Sequence, residues 1–232
     1  MKPLADCRLY TFVDTAWLQG RVPEVVAQQL CDGGSDLIQL RAKKSTPDEI
    51  RCMAEKILPV TRRANVGLVI NDHLEIARDL GAELCHLGQE DFFDSGHTQV
   101  SELPPLLRSG AASRTPNSLP RQSAAAVGKL RIGLSTHSPE QAKRALAAGP
   151  DYLAIGPVYA TGTKPTAKPV TLDYVRWAAA NINIPWFAIG GINLENLGDV
   201  LAAGARRVCV VSAILNAPDV TRACAEFRGQ LG

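Results

Sequence analysis

Residues 67–91 read GLVINDHLEIARDLGAELCHLGQED, and the order of elements in this segment is the strongest indication of the fold. The run from Gly67 to Asn71 is almost entirely apolar, as in a strand that is covered on both faces. Apolar residues then recur at helical spacing from Leu74 to Leu80. A second short apolar run extends from Glu83 to Leu87. The segment therefore predicts a strand, a helix and a second strand, which is the repeating unit of a parallel sheet.

The same alternation continues in both directions along the chain. Helix starts are marked where a Ser or Thr precedes Pro, as in Thr46-Pro47-Asp48-Glu49 and Ser138-Pro139-Glu140-Gln141. Eight strand-and-helix units in 232 residues predict a single-domain (β/α)8 TIM barrel spanning 1–232. An open doubly wound sheet is the main alternative. The predicted strands are Cys7–Asp14, Asp36–Arg41, Gly67–Asn71, Glu83–Leu87, Leu130–Ser135, Asp151–Gly156, Pro185–Gly190 and Arg207–Ser212.

One connection departs from this rhythm. After the predicted fourth strand, residues 92–128 are rich in Pro, Gly, Ser and Ala, a composition typical of a surface loop. We expect an extended, mobile connection there, with one short helix near Val100 to Arg108. Because it leaves the top of the fourth strand, it could act as a lid over a site or be a surface excursion without a catalytic role.

Composition excludes several classes of protein. The formal net charge is +2 with 21% charged residues, and Lys and Arg are scattered, which argues against nucleic-acid binding. No apolar run approaches the roughly 18 residues of a membrane helix, and no secretion signal is recognisable. The six cysteines form no C-x-x-C pair and are typical of reduced core thiols. We therefore expect a cytoplasmic protein without a membrane or nucleic-acid partner; a homo-oligomer is compatible with the sequence.

Polar residues gather where the predicted strands end. In a TIM barrel the carboxyl ends of the strands and the loops after them share one face, so these residues are expected to form one site. Charged groups near a packed core also need partners, which favours a common function. The residues selected in this way are Gln39, Arg41, Lys43, Asn71, Asp72, Gln89, Glu90, Asp91, Ser135, His137, Thr161, Thr163, Lys164, Gly190, Gly191, Val211 and Ser212.

The charged members of this set have distinct candidate roles. Asp72 and Asp91 are candidate magnesium ligands, because Mg²⁺ is commonly bound by one or two carboxylates plus phosphate oxygens; either could instead cap a helix or turn. Arg41, Lys43 and Lys164 could neutralise a diphosphate. The first two could equally be a solvated pair at a strand exit.

Two further segments predict anion binding. Thr161-Gly162-Thr163-Lys164 places two hydroxyls and a lysine around a glycine, although the glycine spacing is not that of a P-loop. Gly191 and Ser212 follow the seventh and eighth strands, where TIM barrels often bind phosphate. His137 is a candidate acid or base, or a structural hydrogen-bond donor.

In this order, the segments resemble the thiamine-phosphate synthase family over nearly the whole chain. Residues 39–43, Gln39-Leu40-Arg41-Ala42-Lys43, are similar to the Q-x-R-x-K segment of that family. The resemblance implies that residues 39–43, Asn71, Ser135 and Lys164 contact a pyrimidine diphosphate. It implies a catalytic role for Arg41, Lys43, Ser135 and Lys164, and one Mg²⁺ per site on Asp72 and Asp91. The residues implied for a thiazole phosphate are Thr161, Gly162, Thr163, Gly191, Val211 and Ser212.

The reaction implied by the resemblance joins 4-amino-2-methyl-5-hydroxymethylpyrimidine diphosphate to 4-methyl-5-(2-phosphooxyethyl)thiazole, or to its carboxylated form. Thiamine phosphate and diphosphate are the products, formed by magnesium-assisted dissociative alkyl transfer. His73 departs from the family pattern, because many members have an acidic residue there. Two other functions remain open at this point: a thiazole tautomerase-like barrel that uses His137, and a non-catalytic barrel that binds phosphate for regulation.

Overall fold

A computed structural model describes residues 1–103, 129–162 and 168–232. These residues contain a closed barrel of eight parallel strands in sequence order, and β1 and β8 pair through Tyr10 and Cys209. The barrel confirms the predicted TIM-barrel fold and excludes the open sheet. The strands are Leu9–Asp14 (β1), Leu37–Arg41 (β2), Gly67–Asn71 (β3), Leu84–Gly88 (β4), Arg131–Thr136 (β5), Tyr152–Ile155 (β6), Trp186–Ile189 (β7) and Val208–Cys209 (β8).

Helices connect the strands on the outside of the barrel. The second helix begins at a capping box, in which Thr46 Oγ1 accepts a hydrogen bond from the Glu49 amide at 3.3 Å. Ser138 caps the fifth helix in the same way, 3.2 Å from the Gln141 amide. Both predicted starts are confirmed. The helices are Pro23–Asp32 (α1), Pro47–Arg63 (α2), Leu74–Leu80 (α3), Gln89–Asp94 (α4), Pro139–Ala147 (α5), Thr171–Asn181 (α6), Leu197–Ala202 (α7), Ser212–Leu215 (α8) and Val220–Gln230 (α9).

Two apolar layers form the core, because successive side chains of a strand point to opposite faces of the sheet. Tyr10, Tyr152 and Phe187 pack edge to face inside the barrel. Residues of the opposite parity, such as Leu9 and Val13, pack in the larger cluster that includes the buried residues of the helices. A 3₁₀ turn near the N-terminus contributes Leu4 to the interior layer, below the aromatic residues.

The structure refines the sequence predictions at three places. β8 ends at Cys209 rather than Ser212, because Val211 has φ −117° and ψ −87° and the chain turns into α8. The predicted connection does not begin as a loop, since Phe92 is buried within α4. A 3₁₀ turn at Val100–Glu102 overlaps the expected short helix. Residues 104–128 lie outside the described part of the chain.

All six cysteines are free thiols. None of the described helices is long and apolar enough to cross a membrane.

Gly133 on β5 is required by the packing of the barrel interior. A Cβ at this position would lie 2.1 Å from Cζ of Tyr152, a fully buried ring on β6. We expect Gly133→Ala to lower the free energy of unfolding by about 1–3 kcal/mol, because the added methyl group overpacks the core. Urea denaturation of the purified variant measures this change.

Gly198 in α7 provides the matched control, because a Cβ there meets nothing within 4 Å. Gly198→Ala should be neutral or raise stability by up to about 1 kcal/mol through helix propensity. Equal denaturation midpoints for Gly133→Ala and the wild type would contradict the packing argument.

Candidate active site

A cavity of about 1030 Å³, counting space open to solvent, lies at the carboxyl ends of the strands. Every strand contributes to its lining, as expected where the strand ends of a TIM barrel meet. Of the polar residues selected from the sequence, at least one at the end of each of the strands β2 to β8 reaches this cavity. The predicted substrate and metal residues that line it are Gln39, Arg41, Lys43, Asn71, Asp72, Asp91, Ser135, Thr161, Gly191, Val211 and Ser212.

The remaining predicted residues lie elsewhere. Leu40 and Ala42 are buried in the outer apolar cluster, because they alternate along the chain with the cavity-lining residues of their segment. Their side chains therefore serve packing. Gly162 is exposed, next to the cavity residue Thr161. Thr163 and Lys164 lie outside the described residues.

The two basic residues at the end of β2 are paired with carboxylates. Nη1 of Arg41 lies 2.7 Å from Oδ2 of Asp14, the last residue of β1 and its neighbour in the parallel register. Asp14 is 1% exposed and Arg41 is 14% exposed, so this pair is largely shielded from water. Lys43 forms a more exposed ion pair with Asp72. Both positive charges are thereby held at the cavity wall.

Besides Asp72, a second acidic residue of the cavity, Asp91, belongs to α4. Asp91 is in the first turn of this helix, and its Oδ2 lies beside Gly88, where a Cβ would be only 2.7 Å away. Asp72 has a left-handed backbone conformation (φ 63°), and its Oδ2 accepts a hydrogen bond from Asn71 Nδ2 at 2.7 Å. The carboxylates of Asp72 and Asp91 thus face the same cavity from neighbouring strand ends.

The carboxylates of Asp72 and Asp91 fit a Mg²⁺ site better than a site in which protein side chains alone bind the metal. Among the described residues, no group of three or more His, Cys, Asp or Glu side chains could hold a metal ion. Mg²⁺ does not need such a group, because it is usually bound through one or two carboxylates, water and substrate phosphate oxygens. Asp72 and Asp91 both line the cavity, so two carboxylates are available there.

Hydrogen-bonded aromatic residues form the inner end of the cavity. Tyr10 is hydrogen bonded to Gln39 and to Tyr152, and Tyr152 Oη lies 3.1 Å from Nδ1 of the buried His86. Burial raises the pKa of Tyr10 and of Tyr152 well above the usual value, which keeps both hydroxyls neutral. His86 therefore belongs to this interior network.

Backbone geometry dominates the wall formed after β7 and β8. Gly191 has φ 65°, and a Cβ there would lie 2.5 Å from the carbonyl oxygen of Ala160. Its own carbonyl accepts a hydrogen bond from Asn196 Nδ2 at 2.9 Å, which fixes the turn. Ser212 lines the cavity as the first residue of α8. Glycine and a short helix thus occur at the two expected positions.

His137 also lines the cavity, but one ring nitrogen is already engaged. Nδ1 is hydrogen bonded to the carbonyl oxygen of Gly156, so this nitrogen carries the proton. The His137 amide donates to Oε1 of Gln141 at 2.7 Å. These contacts fix the ring at the start of α5.

Sequence reasoning missed Asp14 and the aromatic end of the cavity. Asp14 ends an apolar strand in the same way as Asn71, and this position could have identified it. Tyr10 and Phe12 give no such signal, because inward-facing aromatic residues of a barrel have the same pattern as other core residues.

Known proteins resemble this chain over most of the barrel, including the residues that line the cavity. A family model described as "Thiamine monophosphate synthase" matches residues 9–99 and 115–214, from the start of β1 into α8. Thiamine-phosphate synthase from Thermus thermophilus is 44% identical over 200 residues, covering 86% of this chain and 84% of the relative. The enzyme of the same name from Acidothermus cellulolyticus is 40% identical over 231 residues, covering 98% and 96%.

Solved structures give the same picture of the fold. Thiamine phosphate pyrophosphorylase from Pyrococcus furiosus superposes with a TM-score of 0.74 and 25% identity, covering 97% of this chain and 95% of that one. A 3-hexulose-6-phosphate synthase superposes with a TM-score of 0.59 and 18% identity, covering 97% and 100%, which reflects the shared barrel. All predicted site residues fall within the two segments matched by the family model.

Proposed function

This chain belongs to the thiamine monophosphate synthase family and is a transferase of thiamine biosynthesis, and we propose that it condenses a pyrimidine diphosphate with a thiazole phosphate. The pyrimidine is 4-amino-2-methyl-5-hydroxymethylpyrimidine diphosphate, and the thiazole is 4-methyl-5-(2-phosphooxyethyl)thiazole or its carboxylated form. The observation that carries this proposal is the meeting of Arg41, Lys43, Asp72 and Asp91 at one cavity.

The basic residues stabilise the leaving diphosphate. The C–O bond between the pyrimidine methylene and the diphosphate breaks, and its electron pair departs with the diphosphate oxygen. Arg41 and Lys43 line the cavity and supply fixed positive charge where this negative charge develops. Ser135, at the end of β5, can donate a hydrogen bond to the same group. Lys164 completes the proposed set from its position in the sequence.

Asp72 and Asp91 would hold Mg²⁺, which when bound neutralises charge on the diphosphate. The ion pair between Lys43 and Asp72 lies next to this position, so Lys43 is close enough to serve the same phosphate group. Carboxylates and cations therefore act on one leaving group from three neighbouring strand ends, those of β2, β3 and β4.

The thiazole phosphate would be held by the cavity-lining residues that follow β6, β7 and β8. Gly191, Val211 and Ser212 line the cavity after β7 and β8, and Thr161 lines it after β6. Hydroxyl groups and backbone N–H groups in such turns are suited to phosphate. Anchoring the phosphate orients the thiazole nitrogen toward the pyrimidine methylene, where the new C–N bond forms.

This reaction needs no protein nucleophile. The electron-rich aminopyrimidine carries the developing positive charge itself, and the thiazole nitrogen then takes the place of the diphosphate. Tyr10, Gln39 and His86 line the inner end of the cavity, where they can orient the pyrimidine ring by hydrogen bonding and ring contact. Their role is to exclude water and hold the ring, which lowers the entropic part of the barrier.

Product analysis tests the proposal directly. Purified protein incubated with both substrates and Mg²⁺ should release thiamine phosphate and diphosphate in equal amounts. A chain that binds either phosphate compound without forming product would instead support a non-catalytic regulatory barrel. Parallel reactions with the carboxylated thiazole phosphate identify the preferred thiazole substrate.

His137→Asn tests whether alkyl transfer depends on a proton moved by His137. If the proposed reaction is correct, this variant should keep turnover within about 10-fold of the wild type, because formation of the C–N bond requires no proton transfer by His137. Asn can retain a hydrogen bond to the carbonyl of Gly156. Steady-state assays with both substrates provide the measurement.

The opposite result would give His137 a role in proton transfer during this reaction. A loss of about 100-fold or more with a normal unfolding transition would indicate that His137 moves a proton. Gln141→Leu is a useful control, since it removes the side-chain acceptor of the His137 amide but keeps the imidazole.

A further inference from the structure

The segment between β1 and α1 leaves the same barrel face as the candidate site. Its amide at Trp17 donates to the carbonyl of Asp14 at 2.9 Å, which closes a tight turn directly after the strand. The half-buried indole extends to the turn after β6. A Cβ placed on Gly162 would lie 3.3 Å from Cη2 and 3.4 Å from Cζ2 of Trp17. The ring thus lies on the side of Gly162 from which a side chain would project, next to Thr161.

Arg21 connects this segment to a third part of the barrel. Its Nη2 donates to the carbonyl oxygens of Trp17 at 2.8 Å and Leu215 at 2.6 Å, and its Nε donates to that of Leu18 at 2.8 Å. Leu215 is the last residue of α8, the helix whose first residue, Ser212, lines the cavity. A planar guanidinium bound to three carbonyls leaves the backbone at Trp17 little freedom relative to α8.

We propose that Trp17 is a positioning residue for the thiazole-phosphate half of the site. Its indole supports Thr161–Gly162, and Arg21 fixes its backbone to the helix that begins at Ser212, so two walls of the phosphate site keep a constant separation. Neither residue need touch the substrate. This inference rests on the proposed function, because it assigns Thr161 and Ser212 to the same phosphate group.

The residues proposed to bind the pyrimidine diphosphate are held by other contacts, so loss of the Trp17 ring should affect the two substrates unequally. Arg41 is held by Asp14, and Lys43 by Asp72, through contacts that do not involve the indole. Loss of the Trp17 ring should therefore weaken thiazole-phosphate binding without an equal effect on the pyrimidine diphosphate. A purely structural role would lower the unfolding midpoint and leave both Michaelis constants alone or change them together.

Steady-state kinetics of three variants test this selectivity. Trp17→Ala should raise the KM for the thiazole phosphate by about 10-fold, since small displacements of a binding group can cost up to roughly 100-fold, with the KM for the pyrimidine diphosphate within about 2-fold. Trp17→Phe should recover most of the loss by restoring an aromatic face. Arg21→Met keeps the indole but removes the link to Leu215, and it should show the same selective rise.

The control variant is Trp177→Phe. Trp177 stacks on Tyr174 in the outer helix α6, so we expect both KM values to be unchanged in this variant. Intrinsic fluorescence gives a second readout, since titration with thiazole phosphate should change the emission of Trp177→Phe protein but much less that of Trp17→Phe.

The possible failures are distinguishable. If the wild type makes no thiamine phosphate, the proposed function fails. If the wild type is active but Trp17→Ala and Arg21→Met change both KM values equally or not at all, the positioning role is overturned while the proposed function stands. Should Trp17→Ala fail to fold, Arg21→Met and the fluorescence titration decide the question by themselves.

Discussion

Replacing Asp91 by Asn is expected to reduce kcat by at least about 100-fold, the scale of a lost electrostatic contact to a transition state. The substitution removes the negative charge but keeps the shape of the side chain. Asp91 is exposed in the first turn of α4, where a carboxylate contributes only about 0.3–1 kcal/mol to helix stability. We therefore expect a folded protein that no longer holds the metal needed by the leaving diphosphate. Turnover at saturating substrates and the thermal midpoint are measured together.

Asp94→Asn is the matched control for this experiment. Asp94 is exposed at the end of the same six-residue helix, and it does not line the cavity. Its replacement should leave turnover unchanged. If Asp91→Asn also retained wild-type turnover at limiting Mg²⁺, Asp91 would have to be removed from the metal site.

Replacing Asp14 by Asn is expected to lower kcat/KM for the pyrimidine diphosphate by about 10–100-fold, because Arg41 loses the charged partner that aims it into the cavity. Removing one partner of a buried ion pair typically costs about 3–5 kcal/mol. Asn fits the same space, and its side-chain oxygen can still accept a hydrogen bond from the Ala16 amide. In the wild type this amide nitrogen lies 3.0 Å from Oδ1 of Asp14. A stability loss at or below about 3 kcal/mol is therefore expected. Kinetics with each substrate varied in turn, and urea denaturation, measure the two effects.

The exposed pair between Arg51 and Asp79, with nitrogen and oxygen 2.7 Å apart, provides the comparison. Asp79→Asn should change stability by less than about 1 kcal/mol and leave the kinetics intact, because surface ion pairs contribute little. A destabilised Asp14→Asn protein with wild-type kinetics would show that Arg41 does not act on the diphosphate.

The sequence was sufficient for the fold because apolar spacing and helix caps are local signals. The run Leu68-Val69-Ile70 predicts a covered strand without knowledge of its neighbours, and Thr46 and Glu49 predict a helix start through their own hydrogen bonds. The end of β8 could not be placed in this way. Val210 and Val211 continue an apolar run, and only the backbone turn at Val211 ends the strand.

The site was predictable where polar residues interrupt apolar strands. Asp72 and Ser135 stand out for this reason, and both reach the cavity. Leu40 lies between Gln39 and Arg41 in the predicted segment, but alternation along β2 turns its side chain away from the cavity. The pairing of Asp14 with Arg41 depends on the register of two strands, and the proximity of Trp17 to Gly162 depends on barrel closure. Such long-range relations are absent from spacing along the chain.

The central claim is that Asp72 and Asp91 bind one divalent cation together with the pyrimidine diphosphate. Electron paramagnetic resonance of added Mn²⁺ measures this directly, by counting bound ions with and without the diphosphate substrate. We predict one tightly bound Mn²⁺ per chain when the substrate is present, and loss of that ion in the Asp72→Asn/Asp91→Asn double variant. Undiminished Mn²⁺ binding by a folded double variant in the presence of the substrate would contradict the account.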